Sequence, residues 1–223
     1  MSIESDIIDG KVESVVRQIP HLEDGRIGSL FLFAVTFEQE EIATGLLEAR
    51  SAAIDPRIVE EIFKAAAVHN EAELVRKIIK QCGDKLTKTT MLDAAKMAAV
   101  ERNIKVIKII AEEGHLDDYI NKEDEENPHL LKIAVDTGDY FFIEKLLELP
   151  EMEVDFHHIA YAEKRGQHRM SELLKLFRTK ETKKYDMMDT VYDYEKDLVA
   201  VGPHMQAELE RRKRVLSQSR YRL

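Results

Sequence analysis

The residues most able to do chemistry in this sequence are few, and their spacing does not gather them. His157-His158 and His168 are the only close histidines. A metal site needs three or four converging ligands with outer-shell support. Residues 157 and 158 face different sides of any regular element, and Cys82, the one cysteine, is far off in sequence. No metal ion, no cofactor and no catalytic residue is therefore assigned. Cys82 lies in "QCGDK", which reads as a loop, and no motif names the base that a thiol nucleophile needs. "DGRIG" and "KRG" are too sparse to cradle phosphate. Tyr185, Asp186, Asp189 and His204 are the residues to suspect if an enzyme site lies beside the C-terminal segment. "ERRKR", Glu210 to Arg214, has the composition of a nuclear-import patch or phosphate contact, though such runs are more often a solvated helix face. Tyr192 and Tyr194 stand among acids in "DTVYDYEKD", a context for phosphorylation. Tyrosines packing a helix interface are the plainer reading.

The elements that must position such residues are set by composition. The chain has 223 residues, of which 44% are hydrophobic, enough to fill a core. Nine glycines, five prolines and 7% aromatics suit a helical protein better than a sandwich or barrel. The formal net charge is −10, so no general affinity for nucleic acid is expected, because phosphate neutralisation needs clustered Lys and Arg. A single cysteine excludes an intramolecular disulfide framework and fits a reducing compartment. "MSIESDIIDGKVESVV" lacks the apolar run of a signal peptide, and no stretch approaches a membrane span. A cytoplasmic protein without membrane partners is expected.

A pattern repeats along the chain. "AVDTGDYFFIEKLL", Ala134 to Leu147, matches "AVTFEQEEIATGLL", Ala34 to Leu47, and "AAVHNEAELVRKII", Ala66 to Ile79. Each copy opens on a small residue. Apolar pairs follow at Ile42-Ala43, Leu74-Val75 and Phe142-Ile143, then at Leu46-Leu47, Ile78-Ile79 and Leu146-Leu147. An apolar anchor precedes each opening by three residues: Phe31, Phe63 and Leu131. Weaker copies open at Ala98 and Ala162, and a partial one spans Ile7 to Ile19. The openings at 34, 66, 98, 134 and 162 are 32, 32, 36 and 28 residues apart. Each unit reads as two helices around a turn, with apolar residues on one stripe of the second helix. One such hairpin cannot bury both faces, but stacked neighbours can. An ordinary helical bundle would not keep the small residue, the anchor and both pairs in register. The third copy along the chain, the weaker one opening at Ala98, reads as carrying an extra turn in "MLDAAKMAAVERN".

These residues resemble the ankyrin repeat, whose pattern is roughly T-P-L-H-x-A-A-x-x-G-H-x-x-I-V-x-x-L-L. Leu131, Ala134, Gly138, Ile143 and Leu146-Leu147 match it, as do Phe31, Ala34, Ile42 and Leu46-Leu47. "YINKEDEENP" and "EMEVD" resemble the family's hairpin between repeats. The resemblance runs from about Ile7 to Phe177. It lacks the T-P-L-H helix start in every copy, and Glu38, Asn70 and Arg102 stand where the turn glycine belongs. Solenoids of the tetratricopeptide or HEAT kind stay open as alternatives. The resemblance implies an all-α, ankyrin-like helical-repeat solenoid of about five to six helix pairs over residues 1–177. It also implies a non-catalytic adaptor or effector that holds a protein partner on the concave face. Short divergent arrays of this sort resemble those that intracellular bacteria and large viruses direct at host proteins in the host-cell cytosol.

In ankyrin-like units the residues just after the opening pair face that surface. Here they are Thr36-Phe37, Val68-His69, Val100-Glu101, Asp136-Thr137 and Lys164-Arg165. Phe37 and His69 are the anchors expected to matter most. The acidic loop "NKEDEEN", Asn121 to Asn127, would steer a basic partner if it is more than a solvated tip. Residues 178–223 carry no repeat. They read as helices over 183–201 and 205–217, broken at "VGPH". Such a pair would cap the last repeat, dock a partner, or form a homodimer.

Overall fold

The computed structural model describes residues 2–122 and 128–178, and there the chain is all-helical. It forms twelve α-helices and no strand among the described residues. The chain divides into two compact units, Met1–Ile120 and Asn121–Leu223. The expected capping helices, the suspected group Tyr185, Asp186, Asp189 and His204, the two tyrosines Tyr192 and Tyr194, and the basic run lie outside the described residues. So does most of the acidic loop.

The first unit is a succession of helix pairs. They are α1 (Ile3–Ile8) with α2 (Val12–Gln18), α3 (Asp24–Thr36) with α4 (Glu40–Arg50), α5 (Pro56–Val68) with α6 (Ala72–Cys82), and α7 (Lys88–Val100) with α8 (Ile104–Glu113). First helices pack on first helices, α1 on α3, α3 on α5 and α5 on α7, and second helices on second, α2 on α4, α4 on α6 and α6 on α8. The alanines that open the sequence pattern make this approach close: Ala34, Ala66 and Ala98 are fully buried. Gly28 also lets α3 approach α5, since a methyl group there would come within 2.7 Å of Ile58 Cδ1. The anchors Phe31 and Phe63 and the pairs on α4, α6 and α8 fill the space between layers, with Ile42, Leu46, Leu74, Ile78, Val106 and Ile110 buried. Burying each such side chain contributes about 1.5–3 kcal/mol.

The turn inside each pair has one geometry. A residue with positive φ stands at Gly10, Glu38, Asn70, Arg102, Gly138 and Gly166, with φ between 56° and 72°. In five of these turns the next residue's N–H donates to the carbonyl five residues back, at 2.8–3.0 Å: Lys11 to Asp6, Gln39 to Ala34, Glu71 to Ala66, Asn103 to Ala98 and Gln167 to Ala162. This is the six-to-one bond of a Schellman ending, which normally asks for glycine at the left-handed position. Glu38, Asn70 and Arg102 adopt it without glycine, at a cost of about 1–2 kcal/mol each. The opening alanine thus has two tasks, since its side chain allows close packing and its carbonyl closes the turn.

Connections between pairs are equally regular in this unit. Residues 19–23, 51–55 and 83–87 each begin with one 3-10 turn, at Ile19–His21, Ser51–Ala53 and Gly83–Lys85. The Lys85 ammonium donates to the carbonyls of Ser51 and Ile54, both at 2.9 Å, tying one connection to the previous one. The helix starts that lack the T-P-L-H signature are capped by other means. Asp55 accepts from the N–H of Arg57 ahead of Pro56, and Thr87 accepts from the N–H of Thr90.

Three local expectations are corrected. The helix α7 has 13 residues, as do α3 and α5, so it carries no extra turn. The added length lies in the connection from α8 to the next helix. Cys82 is the last residue of α6 and fully buried, with burial pushing its thiol up, rather than a loop thiol. "YINKEDEENP" and "EMEVD" form no strand in their described parts, and residues 119–121 belong to a 3-10 segment, Asp117–Asn121.

The second unit contains α9 (Leu130–Thr137) with α10 (Tyr140–Leu146) and α11 (Phe156–Lys164) with α12 (His168–Leu176). Here α9 packs on α11 and α10 on α12. Asn121 binds the following connection, its Nδ2 donating to the Glu151 carbonyl at 2.6 Å and its Oδ1 accepting from the Glu153 N–H at 2.9 Å. The rings of His129 and His158, both buried, lie 4.2 Å apart. Burial pushes the Asp155 carboxyl up, but the hydrogen bond and charge of His158 outweigh it and hold it well below the usual carboxylate range. No described helix is long and apolar enough to cross a membrane.

Candidate functional site

Each turn ends a first helix, so the two residues before the left-handed position recur at one place in every pair. In the first unit these are Thr36-Phe37, Val68-His69 and Val100-Glu101. Thr36, Phe37, His69, Val100 and Glu101 are exposed and Val68 is half-buried. Val100 is 59% exposed and Phe37 is 42% exposed, large values for apolar side chains. Phe37 is not loose: its ring lies 4.5 Å from that of Phe33, one helical turn earlier. Met97, 41% exposed, has the same place on α7 that Phe33 has on α3, five residues before the left-handed position.

Polar contacts bind these helix ends together. Glu38 Oε1 lies 3.5 Å from His69 Nδ1, joining the second turn to the third. Lys64 on α5 and Asp93 on α7 pair at 3.5 Å. Asn103 Nδ2 donates to the carbonyls of Ala67 and Val68, at 2.9 and 2.7 Å, satisfying the end of α5 from the following turn. The row therefore sits on packed helices with its register fixed.

In the second unit the same places hold Asp136-Thr137 and Lys164-Arg165. Thr137 turns back to its own helix, with Oγ1 donating to the Ala134 carbonyl at 2.7 Å. Asp136 and Arg165 are drawn into one cluster by Tyr161. The Tyr161 hydroxyl lies 2.9 and 2.8 Å from the two Asp136 oxygens, Arg165 Nη2 donates to that hydroxyl at 2.8 Å, and Arg165 Nε is 3.0 Å from Asp136. Lys164 is exposed.

Sequence reasoning passed over Phe33, Met97 and Tyr161. All three lie five residues before a left-handed position, so helical spacing from the chosen pairs would have found them. It also passed over Glu71. This acid is 7% exposed and both of its carboxylate oxygens are buried without a hydrogen-bond partner. Burial first, then the charges of Glu40 and Glu38, push its carboxyl up to about 8.

Among the described residues no three His, Cys, Asp or Glu side chains are grouped to hold a metal ion. An open cleft of about 780 Å³ at the ends of α6 and α8 mixes Leu86 and Met91 with Lys80, Lys88 and Glu113. Its acid is engaged, since Glu113 pairs with Arg76 at 2.5 Å and with Lys80 at 3.5 Å. No family model, no curated protein and no solved structure matches this chain.

Proposed function

We propose that the chain is an array of divergent ankyrin-like repeats that binds a protein partner on the face formed by the ends of its first helices. The repeated turn, the five-residue connections and the packing of like helix on like helix support the repeat reading. The observation that carries the binding reading is that Phe37 at the end of α3 and Met97 and Val100 on α7 are exposed at one register, with α5 and its exposed His69 between them. Single exposed apolar residues need no explanation, but their recurrence at one register on either side of α5 favours an interaction surface. Phe37 and Val100 act as anchors, and Glu38, His69 and Glu101 form the polar rim. The role assigned is binding without a reaction of its own.

Site-specific photo-crosslinking tests this. A photoreactive residue at Phe37 or Val100 captures the partner, while one at Phe141, 62% exposed on the second helix α10, does not. Capture at Phe141 alone, or equal capture at all three positions, would sink the assignment.

A further inference from the structure

In several pairs the residue after the left-handed position reaches back toward the preceding turn, whereas Asp139 caps its own helix, accepting from the Phe142 N–H at 3.1 Å. Asn103 reaches back with its amide, donating to the Ala67 and Val68 carbonyls. Gln39 Oε1 lies 3.0 Å from where a methyl on Gly10 would stand, and Gln167 Nε2 lies 3.6 Å from one on Gly138. Glu71 occupies this position one pair before Asn103, with the same backbone: φ −79° and ψ 70° against φ −78° and ψ 64°. By register, its counterparts to Ala67 and Val68 are Val35 and Thr36, at the end of α3. The last carbonyls of a helix need donors; that of Val35 already accepts from the Glu38 N–H at 2.9 Å, so a further donor here serves Thr36 and adds a second bond at Val35. An amide supplies one, whereas an ionised carboxylate supplies none. Both Glu71 oxygens are buried and unpartnered, so an anion there would be uncompensated.

We propose that Glu71 is held in the folded chain as a neutral carboxylic acid whose hydroxyl donates to the carbonyls ending α3, and that loss of this proton loosens the junction between the α3–α4 and α5–α6 pairs. The charged surroundings agree. Glu38 and Glu40, from the preceding turn and α4, are the charges that act on Glu71, and both oppose its ionisation. Within its own pair, His69 pairs with Glu38, and Glu73 pairs with Arg76. From the following pair, Lys105 also faces Glu73, at 3.7 Å. Asp6 in the first pair shows the contrasting case. It is also buried but accepts from Ser14 at 2.7 Å, faces the Lys11 ammonium at 3.5 Å and accepts from Gln18 at 3.3 Å, which together hold its carboxyl below the usual range. The proposal is independent of the partner-binding reading, because its readout is the isolated protein.

The folded state holds the Glu71 proton more tightly than the unfolded chain does. Its contribution is therefore full below about 4.5, declines as pH rises, and levels off above about 8. The test is denaturant unfolding of wild type and Glu71→Gln across that range. Glutamine keeps the donor and does not titrate. The folding equilibrium of E71Q relative to wild type should rise with pH by up to about tenfold per pH unit through the window, then level off. Parallel profiles would overturn the proposal, as would an E71Q that is less stable than wild type at about pH 9 or fails to fold. Carbon NMR titration of the wild-type glutamates gives a second readout. One side-chain carboxyl with a midpoint near 8, absent in E71Q, supports the proposal. Titration of every glutamate in the ordinary acid range refutes it.

Discussion

At one register beside their turns, the two units treat their side chains in opposite ways. In the first unit Phe37, Met97 and Val100 leave much of their apolar surface in water, and the polar groups near them hold the helix ends together. In the second, Asp136, Tyr161 and Arg165 satisfy one another. The backbone positions are the same, so the difference belongs to side chains alone. A scaffold of this kind fixes where groups stand and leaves what they bind to be written residue by residue. A partner on the first unit gains by covering apolar surface that water leaves exposed. On the second it must first compete with bonds already made.

The largest expected effect tests that asymmetry directly. Replacing Phe37 and Val100 together by aspartate should weaken the partner by about 30-fold or more, the scale of an interface hot spot. Stability should fall by about 1–2 kcal/mol, since Phe37 loses its contact with Phe33 and both aspartates stand at helix C-termini, so affinity is compared on folded protein. Asp136→Asn with Arg165→Gln should change affinity less than about threefold. Calorimetric titration with the crosslinked partner distinguishes the two, and an equal loss in both variants would erase the contrast. A smaller effect compares the turns. Gly138→Ala, at φ 69°, should destabilise by about 1–2 kcal/mol. Glu38→Gly, at φ 56°, should stabilise by about 0.5–1 kcal/mol in denaturant unfolding, because the strain it relieves exceeds the loss of an exposed ion pair. Destabilisation by Glu38→Gly would mean that the contact with His69 outweighs the backbone. Least of all, Tyr161→Phe should cost about 0.5 kcal/mol, because Asp136 and Arg165 still pair directly at 3.0 Å. Photo-crosslinking at Lys164 in that variant should stay as low as in wild type, and capture there would show that the hydroxyl alone closes this face.

The helix pairs could be read from the sequence because packing leaves a periodic trace. Ala34, Ala66, Ala98, Ala134 and Ala162 are all buried, and so are the anchors Phe31, Phe63 and Leu131. The turns could be placed but not shaped. Asn70 is of a type that tolerates positive φ, but Glu38 and Arg102 are not, and at those two the conformation goes with the bond back to the opening alanine. Glu71 was hidden for a similar reason. In "NEAELV" it reads as one more surface acid, and only the pair that packs over it takes it out of water. Cys82 looked like a loop residue because Gly83 follows it, whereas the helix runs through to its last turn. The Asp136–Tyr161–Arg165 cluster joins residues 25 to 29 positions apart, a contact that no local pattern records.

The bond that closes each turn spans only five residues, and each pair leans mainly on the pairs just before and after it. Almost every contact in the first unit is thus settled within a few dozen residues of chain. Proteins of such low contact order collapse fast and from many starting points. During synthesis, an early pair can find its final turn while later ones are still inside the ribosome. The same locality makes a whole 32-residue block the natural unit of gain or loss. Removing one should shorten the succession of pairs yet leave the remaining turns closed by bonds within their own pairs.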